Sequence, residues 1–592
     1  MPGFKTYIGR FLVWRARNIP DNYFVILLSI LIGFIAGIAA YALKSSVYYI
    51  ESLLTADFHI QSQNYLYVLY PTIGIIITVI FIQYIVKDFG QSGIPRILYV
   101  IAKMDGKMRF HKTYSSIIGS SLTAGFGGSI GLESPIISTG ASVGSNLAQL
   151  LRLNYSKTTL LIGCGAAGAM ASIFTTPVAA VIFSLEVLML DLTTSSIISL
   201  LMASATGAIT TKLLLAENIL IHFKVTEPFV TGDVPFYIVL GIICGLVSLY
   251  FNKMYQFIRS RMARITNTFA KAAAGGIILG MLIFLFPSLY GEGYDNIMMI
   301  ISGQSEDILK FSFLYEYREN IWIFFLAMLV IMLLKVIATT LTTEAGGIGG
   351  IFAPSAVMGG LTGFVFARGV NDLGLFKPLH ESNFTLVGMA GVLGGVLSAP
   401  LTAIFLIAEM TNGYELIVPL MVVTAISFLT IKAFDPHSIF TKSLAETGDL
   451  ITHQKDRTVL TLLDVEKLID TDVKTIHPDA TLGDLTKLIK ESDRNMFSVV
   501  DEDGRFIGAV DMHDVRGDMF DSEKYDTPIS NYIIQPLDHV TSRESMKSVM
   551  QKFKNTGYYN LPVVDNGIYK GWVSRAHVFD AYRKTLIEVS EE

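Results

Sequence analysis

The sequence is short of cysteine and of charge, and each shortage excludes something. Only two of its 592 residues are cysteines, Cys164 and Cys244, and both stand in apolar runs. A disulfide framework and a cysteine-built metal centre are therefore excluded, and two buried free thiols are expected. Charged residues make up 16% of the chain against 52% hydrophobic, and the mean hydropathy is +0.52. Stretches 24–41, 65–86, 235–250, 275–286, 321–338 and 416–431 hold few or no charges. Several approach the roughly 20 residues that span a bilayer, which excludes an ordinary soluble globule. Charge of one sign is also missing in bulk: a net charge of −5 selects no partner, and no nucleic-acid binding is expected. Nor does the sequence hold a catalytic or metal-ligating constellation, so no enzyme activity is expected.

What is present is apolar sequence broken by glycine and proline. Broken backbone is tolerated at membrane depth only inside protein or along a polar cavity, so the pattern predicts a polytopic bundle with discontinuous helices. Lys5, Arg10, Arg15 and Arg17 precede the first apolar block, and no small-residue cleavage site follows it. Residues 1–22 therefore read as a retained cytoplasmic segment, and 23–447 as the membrane domain. From about Gly448 the sequence becomes charged and turn-rich. A linker over 448–466 and a soluble module over 467–592 are predicted.

The membrane part repeats itself. Gly131-Leu132-Glu133-Ser134-Pro135 matches Gly350-Ile351-Phe352-Ala353-Pro354, each after a glycine-rich stretch. Then AAGAMASIFTTPVAAVIFSLE (166–186) matches MAGVLGGVLSAPLTAIFLIAE (389–409), with equal spacing from Pro177 to Glu186 and from Pro400 to Glu409. Two ordered pairs predict repeats over about 23–215 and 235–432, with a binding site at their interface near the midplane.

Three segments share a helix-start pattern: Ser92-Gly93-Ile94-Pro95, Glu133-Ser134-Pro135 and Gly350 to Pro354. Proline suits the first turn, glycine admits close approach, and the first turn presents unpaired N–H groups at the positive end of the helix dipole. Converging starts of this kind form an anion site without a buried cation. A full positive charge would hold an ion too tightly for rapid passage. Glu133 stands at one of these starts. An ionisable group at membrane depth is a functional candidate by default. Its carboxylate can occupy an anion position itself and yield it when a proton or a competing anion arrives.

These elements, in this order, resemble the CLC family of chloride channels and chloride/proton antiporters, of the prokaryotic type with a C-terminal CBS-domain pair. The resemblance implies an all-α polytopic membrane protein with inverted repeats and about eighteen helices. It also implies a homodimer in the lipid bilayer, with one chloride path per subunit, and a multi-pass protein of the inner cell membrane with both termini cytoplasmic. Chloride would be bound by Ser92, Gly93 and the backbone N–H groups of Ile351 and Phe352, with Phe440 at the inner end and Glu133 as the gate. Gly131, Ser134 and Gly350 would form the pore-helix starts.

Four positions depart from the family pattern. Glu186 is present, but Val187 stands where antiporters carry a proton-transferring glutamate, and valine carries no proton. Phe440 replaces a tyrosine whose hydroxyl would reach the chloride. Gln91 and Ser134 replace glycines. The first two lean toward passive conduction. Some antiporters exchange without the second glutamate, so both mechanisms stay open.

The C-terminal module contains two similar units, 467–523 and 524–592. NMFSVVDEDGRFIGAVDMHDV (495–515) and YYNLPVVDNGIYKGWVSRAHV (558–578) each read as strand, turn, strand and helix start. The resemblance here is to a tandem CBS pair, an α+β module that in other proteins binds ATP or another adenine nucleotide. Asp511 and Asp514 in the first unit and Ser574 in the second are the candidate nucleotide residues. Each motif is incomplete, so a nucleotide site and a purely structural dimerisation role both stay open. The charged run from Asp518 to Lys524 is expected to be solvated surface.

Overall fold

The computed structural model describes residues 14–15, 17–55, 66–88, 93–190, 193–214, 223, 228–310, 312–435, 438–440, 442, 463–471, 474–492, 495–535 and 538–590. Two compact units divide the chain, Met1–Leu450 and Ile451–Glu592.

Sixteen α-helices are described in the first unit, eight in each half. The first half runs α1 (Asp21–Thr55), α2 (Leu66–Ile80), α3 (Ile94–Lys103), α4 (Lys112–Gly125), α5 (Glu133–Leu150), α6 (Tyr155–Phe174), α7 (Pro177–Glu186) and α8 (Thr194–Leu214). The second half repeats the order as α9 (Val234–Met262), α10 (Thr268–Leu285), α11 (Tyr294–Ile301), α12 (Ile321–Glu344), α13 (Phe352–Leu373), α14 (Glu381–Leu397), α15 (Pro400–Met410) and α16 (Ile417–Phe434). Among the described residues, eight helices are long and apolar enough to cross a membrane, and others are much shorter. Helices start where the proline-bearing turns predict, with Gly93, Leu132 and Ile351 as the capping residues of α3, α5 and α13.

The repeat extends to atomic detail. Helices α5 and α6 pack through Gly140 and Gly144, where an added Cβ would collide with the carbonyls of Gly165 and Leu161; α13 and α14 pack through Gly359 and Gly363 against the carbonyls of Gly388 and Phe384. Without a hydrophobic drive between helices in lipid, such close backbone contact supplies the packing energy. Each second helix then ends on a residue in the left-handed region, Thr175 at φ 58° and Ser398 at φ 55°, before the proline that starts the next short helix.

Those short helices cap each other. The Glu186 carboxylate at the end of α7 accepts from the Leu401 and Thr402 amides, at 3.1 and 2.8 Å, and from the Thr402 hydroxyl at 2.7 Å. Reciprocally, the Glu409 carboxylate of α15 accepts from the Val178 and Ala179 amides, at 3.0 and 2.8 Å. Each satisfies N–H groups that proline-started helices leave open, and places a negative charge at a positive helix end. This explains why the Pro-to-Glu interval is the same in both halves.

In the second unit, strands β1 (Ile469–Asp470), β2 (Thr475–Ile476), β3 (Met496–Val500), β4 (Phe506–Asp511), β5 (Asn560–Asp565) and β6 (Ile568–Ser574) form two three-stranded sheets, ordered β1-β6-β5 and β2-β3-β4. Each sheet covers its own apolar cluster, around Val563 and Phe553 in one and Val499 and Leu485 in the other. The Trp572 indole donates to the Ser498 hydroxyl at 2.7 Å, and Phe506 stacks on Tyr569, joining the sheets. Asn566 and Gly567, both at positive φ, make the tight β5–β6 turn. Asp518 is bound by Lys524 and the Tyr532 hydroxyl, so the charged run is an exposed ion pair.

Removing either cap strands two amides. Glu186→Ala and Glu409→Ala should each lower the unfolding free energy by about 1–3 kcal/mol, and denaturant titration in detergent measures it. Equal stability to wild type would mean that water satisfies these helix starts.

Candidate functional site

The two glycines that open the repeated motifs meet. Gly131 and Gly350 form an antiparallel bridge, with the Gly131 amide donating to the Gly350 carbonyl at 2.9 Å and the reverse at 2.8 Å. The starts of α5 and α13 are thereby held side by side. Neither glycine admits a side chain: a Cβ on Gly350 would lie 2.6 Å from the Ser134 Cβ, and one on Gly131 would collide with the Glu133 carboxylate. The start of α3 joins them, since a Cβ on Gly93 would collide with the Ser134 hydroxyl. Gly93 has φ 77°, which glycine adopts without strain.

Glu133 is 1% exposed. Its Oε1 accepts from the buried Tyr294 hydroxyl at 2.9 Å. No donor among the described residues reaches Oε2 in hydrogen-bond geometry. The Ala353 amide, in the first turn of α13, nevertheless acts on this carboxylate, and a Cβ on Gly131 would lie 3.0 Å from that nitrogen. The carboxylate thus sits across the N-terminus of the opposite repeat's helix, where the dipole favours negative charge. The Tyr294 ring packs on Phe174, and Phe174 on Phe352, with ring centroids 6.2 and 5.8 Å apart.

A cavity of about 400 Å³ reaches the same junction. Ser134, Gly350, Ile351 and Phe440 line it, as do Lys112, Arg259 and Lys271 with the acidic Asp88 and Glu344. Glu344 lies 3.7 Å from Arg259 and 3.6 Å from Lys271, so the basic groups are partly balanced. Glu133 does not line the cavity. Phe440 is buried at its wall and presents a ring with no donor.

The structure therefore brings Gly93, Gly131, Glu133, Ser134, Gly350, Ile351, Phe352 and Phe440 into one region. Ser92 and Gln91 lie outside the described residues. Val187 is elsewhere, buried at the end of α7 beside the capping Glu186. In the second unit, Asp511 caps the helix Met512–Val515 through the His513 amide, the Ser574 hydroxyl accepts from the Ala576 amide, and Asp514 is exposed.

The family model for voltage-gated chloride channels matches residues 73–432, and that for the CBS domain matches 465–520 and 529–584. The chain belongs to the voltage-gated chloride channel (CLC) family. Among its CLC relatives is a putative ClcB-like chloride channel protein of Ralstonia nicotianae, 28% identical over 64% of this chain and 86% of that protein. Another is the CLC-f chloride channel protein of Arabidopsis thaliana, 25% identical over 67% of this chain and 56% of that one. The fold is similar to that of a slow cyanobacterial Cl⁻/H⁺ antiporter, with TM-score 0.62 and 22% identity over 73% of this chain and 99% of the other. It is also similar to that of a eukaryotic CLC transporter, with TM-score 0.60 and 15% identity over 94% and 99%. The chain is a multi-pass membrane protein of the CLC chloride-transport family carrying a CBS pair.

Sequence reasoning passed over Lys44, Glu292 and Tyr294, which act on Glu133, and Lys335, which acts on Glu292. The available signal was charge in the wrong place, namely Lys335 inside an apolar block and Glu292 inside Gly291-Glu292-Gly293-Tyr294.

Tyr294→Phe leaves a buried carboxyl oxygen without its donor and should cost about 1–3 kcal/mol of stability. Denaturation of the single and double variants with Glu133→Gln would show the penalty shrinking in the double; an additive cycle would mean the two side chains are not coupled.

Proposed function

We propose that the chain forms a chloride-selective path gated by the Glu133 carboxylate, which occupies an anion position at the start of α13 and leaves it when protonated or displaced by chloride. The observation that carries this reading is the carboxylate itself, buried beside that helix end, with one oxygen held by Tyr294 and the other without a geometric partner. Gly93, Ser134, Ile351, Phe352 and Ser92 supply the ion's polar surroundings, and Phe440 leaves the inner mouth without a hydroxyl donor.

Passive conduction is favoured by Val187, because the one glutamate nearby, Glu186, has its carboxylate committed to three donors of α15. Chloride/proton exchange is the second reading, and a solved relative of similar fold is an antiporter. It requires a proton route that avoids Val187. The protein is placed in the inner cell membrane with cytoplasmic termini, as a homodimer with a path in each subunit. The CBS pair is proposed as a dimerisation module open to an adenine nucleotide. Calorimetric titration with ATP should show saturable binding if the nucleotide reading holds, and no heat beyond dilution if the role is structural.

In reconstituted vesicles with a fixed chloride gradient, the reversal potential should follow chloride alone when a pH gradient is added. A shift with pH would establish exchange instead. Glu133→Gln should transport chloride with no dependence on external pH; retained pH dependence would remove Glu133 from the gate.

A further inference from the structure

The gate has a second carboxylate beside it. Glu292, in the turn before α11, accepts the Leu132 amide on its Oε1 at 3.2 Å, one residue from Glu133. Two residues after Glu292, the Tyr294 hydroxyl holds Glu133 itself. One short segment therefore grips the gate twice, by the amide of the preceding residue and by its carboxylate. Exposure is graded along it: Glu133 is buried, Glu292 is half-buried and Asp295 is exposed.

The charges facing this pair come from three elements. Lys44 of α1 is 6% exposed and acts on both Glu292 and Glu133. Lys335 of α12 is 1% exposed, donates to the carbonyls of Gly291 and Leu289 at 3.0 and 3.4 Å, and acts on Glu292. From the segment itself come Tyr294 and Asp295, and Glu51 of α1 faces Asp295. Two buried lysines thus face two carboxyl groups, and opposite charge close by is what makes an ionised Glu292 tolerable in a region of low dielectric.

We propose that Glu292 is a second protonatable carboxylate of the gate: standing between Glu133 and solvent, it passes protons to the gate and sets the external pH at which the gate opens. The proposal rests on Glu133 being the gate. Two carboxylates sharing one enclosure resist simultaneous ionisation, so the pair titrates as a unit. With Glu292 neutralised, Glu133 keeps its charge to lower pH, and opening by protonation requires more acid. Carboxylates that titrate as a pair interact by about one pH unit or more.

The test is the external-pH profile of chloride flux in vesicles containing the full chain. Glu292→Gln should move the midpoint toward acid by about one unit, whereas Glu292→Asp, which keeps a titrating group, should stay near wild type. In the Glu133→Gln background, Glu292→Gln should leave the pH profile unchanged. An unmoved midpoint in Glu292→Gln, or an equal shift in Glu292→Asp, overturns the proposal and leaves the Glu133 gate standing. Undiminished pH dependence in Glu133→Gln alone overturns the gate, and this proposal with it.

Discussion

A carboxylate has to be kept in a region of low dielectric with no cation bonded to it, and most of the membrane domain follows from that demand. Isolated, such a charge costs several kcal/mol even after relaxation. Here the compensation comes from a helix end, a tyrosine hydroxyl and charges placed one layer away. A helix end can serve only if the backbone comes close, which is why Gly131 and Gly350 bond to each other and why neither site can hold a Cβ. Ser134 occupies the remaining space between Gly93 and Gly350, so three helix starts become one junction.

Holding those starts in place is the work of the repeat. Each half supplies a glycine-packed helix pair and a short proline-started helix, and the two short helices neutralise one another through Glu186 and Glu409. That mutual cap also bears on mechanism. Glu186 adjoins Val187, and its oxygens already accept three hydrogen bonds. In the proposed reading, a proton arriving from that side meets valine and a committed carboxylate. On the side of Glu292 and Asp295 exposure falls from solvent toward Glu133.

The local signals in the sequence carried far. Proline in the first turn, glycine before it and the matched Pro-to-Glu spacing located the helix starts and the repeat, because these depend on backbone chemistry within a few residues. The CBS hairpins were legible for the same reason. Tyr294, Glu292, Lys335 and Lys44 were not, since they stand on three different helical segments and become neighbours only after the halves pack. Glu186 was noticed for its neighbour Val187, while its own task as the cap of a helix more than two hundred positions away was invisible without the fold.

The central claim, that the Glu133 carboxylate fills a position chloride would otherwise take, is tested most directly by counting bound chloride. Calorimetric titration of the detergent-solubilised protein should give one more chloride per chain for Glu133→Ala than for wild type at a pH where the gate is closed. The same stoichiometry in both would mean that the carboxylate does not occupy an ion position.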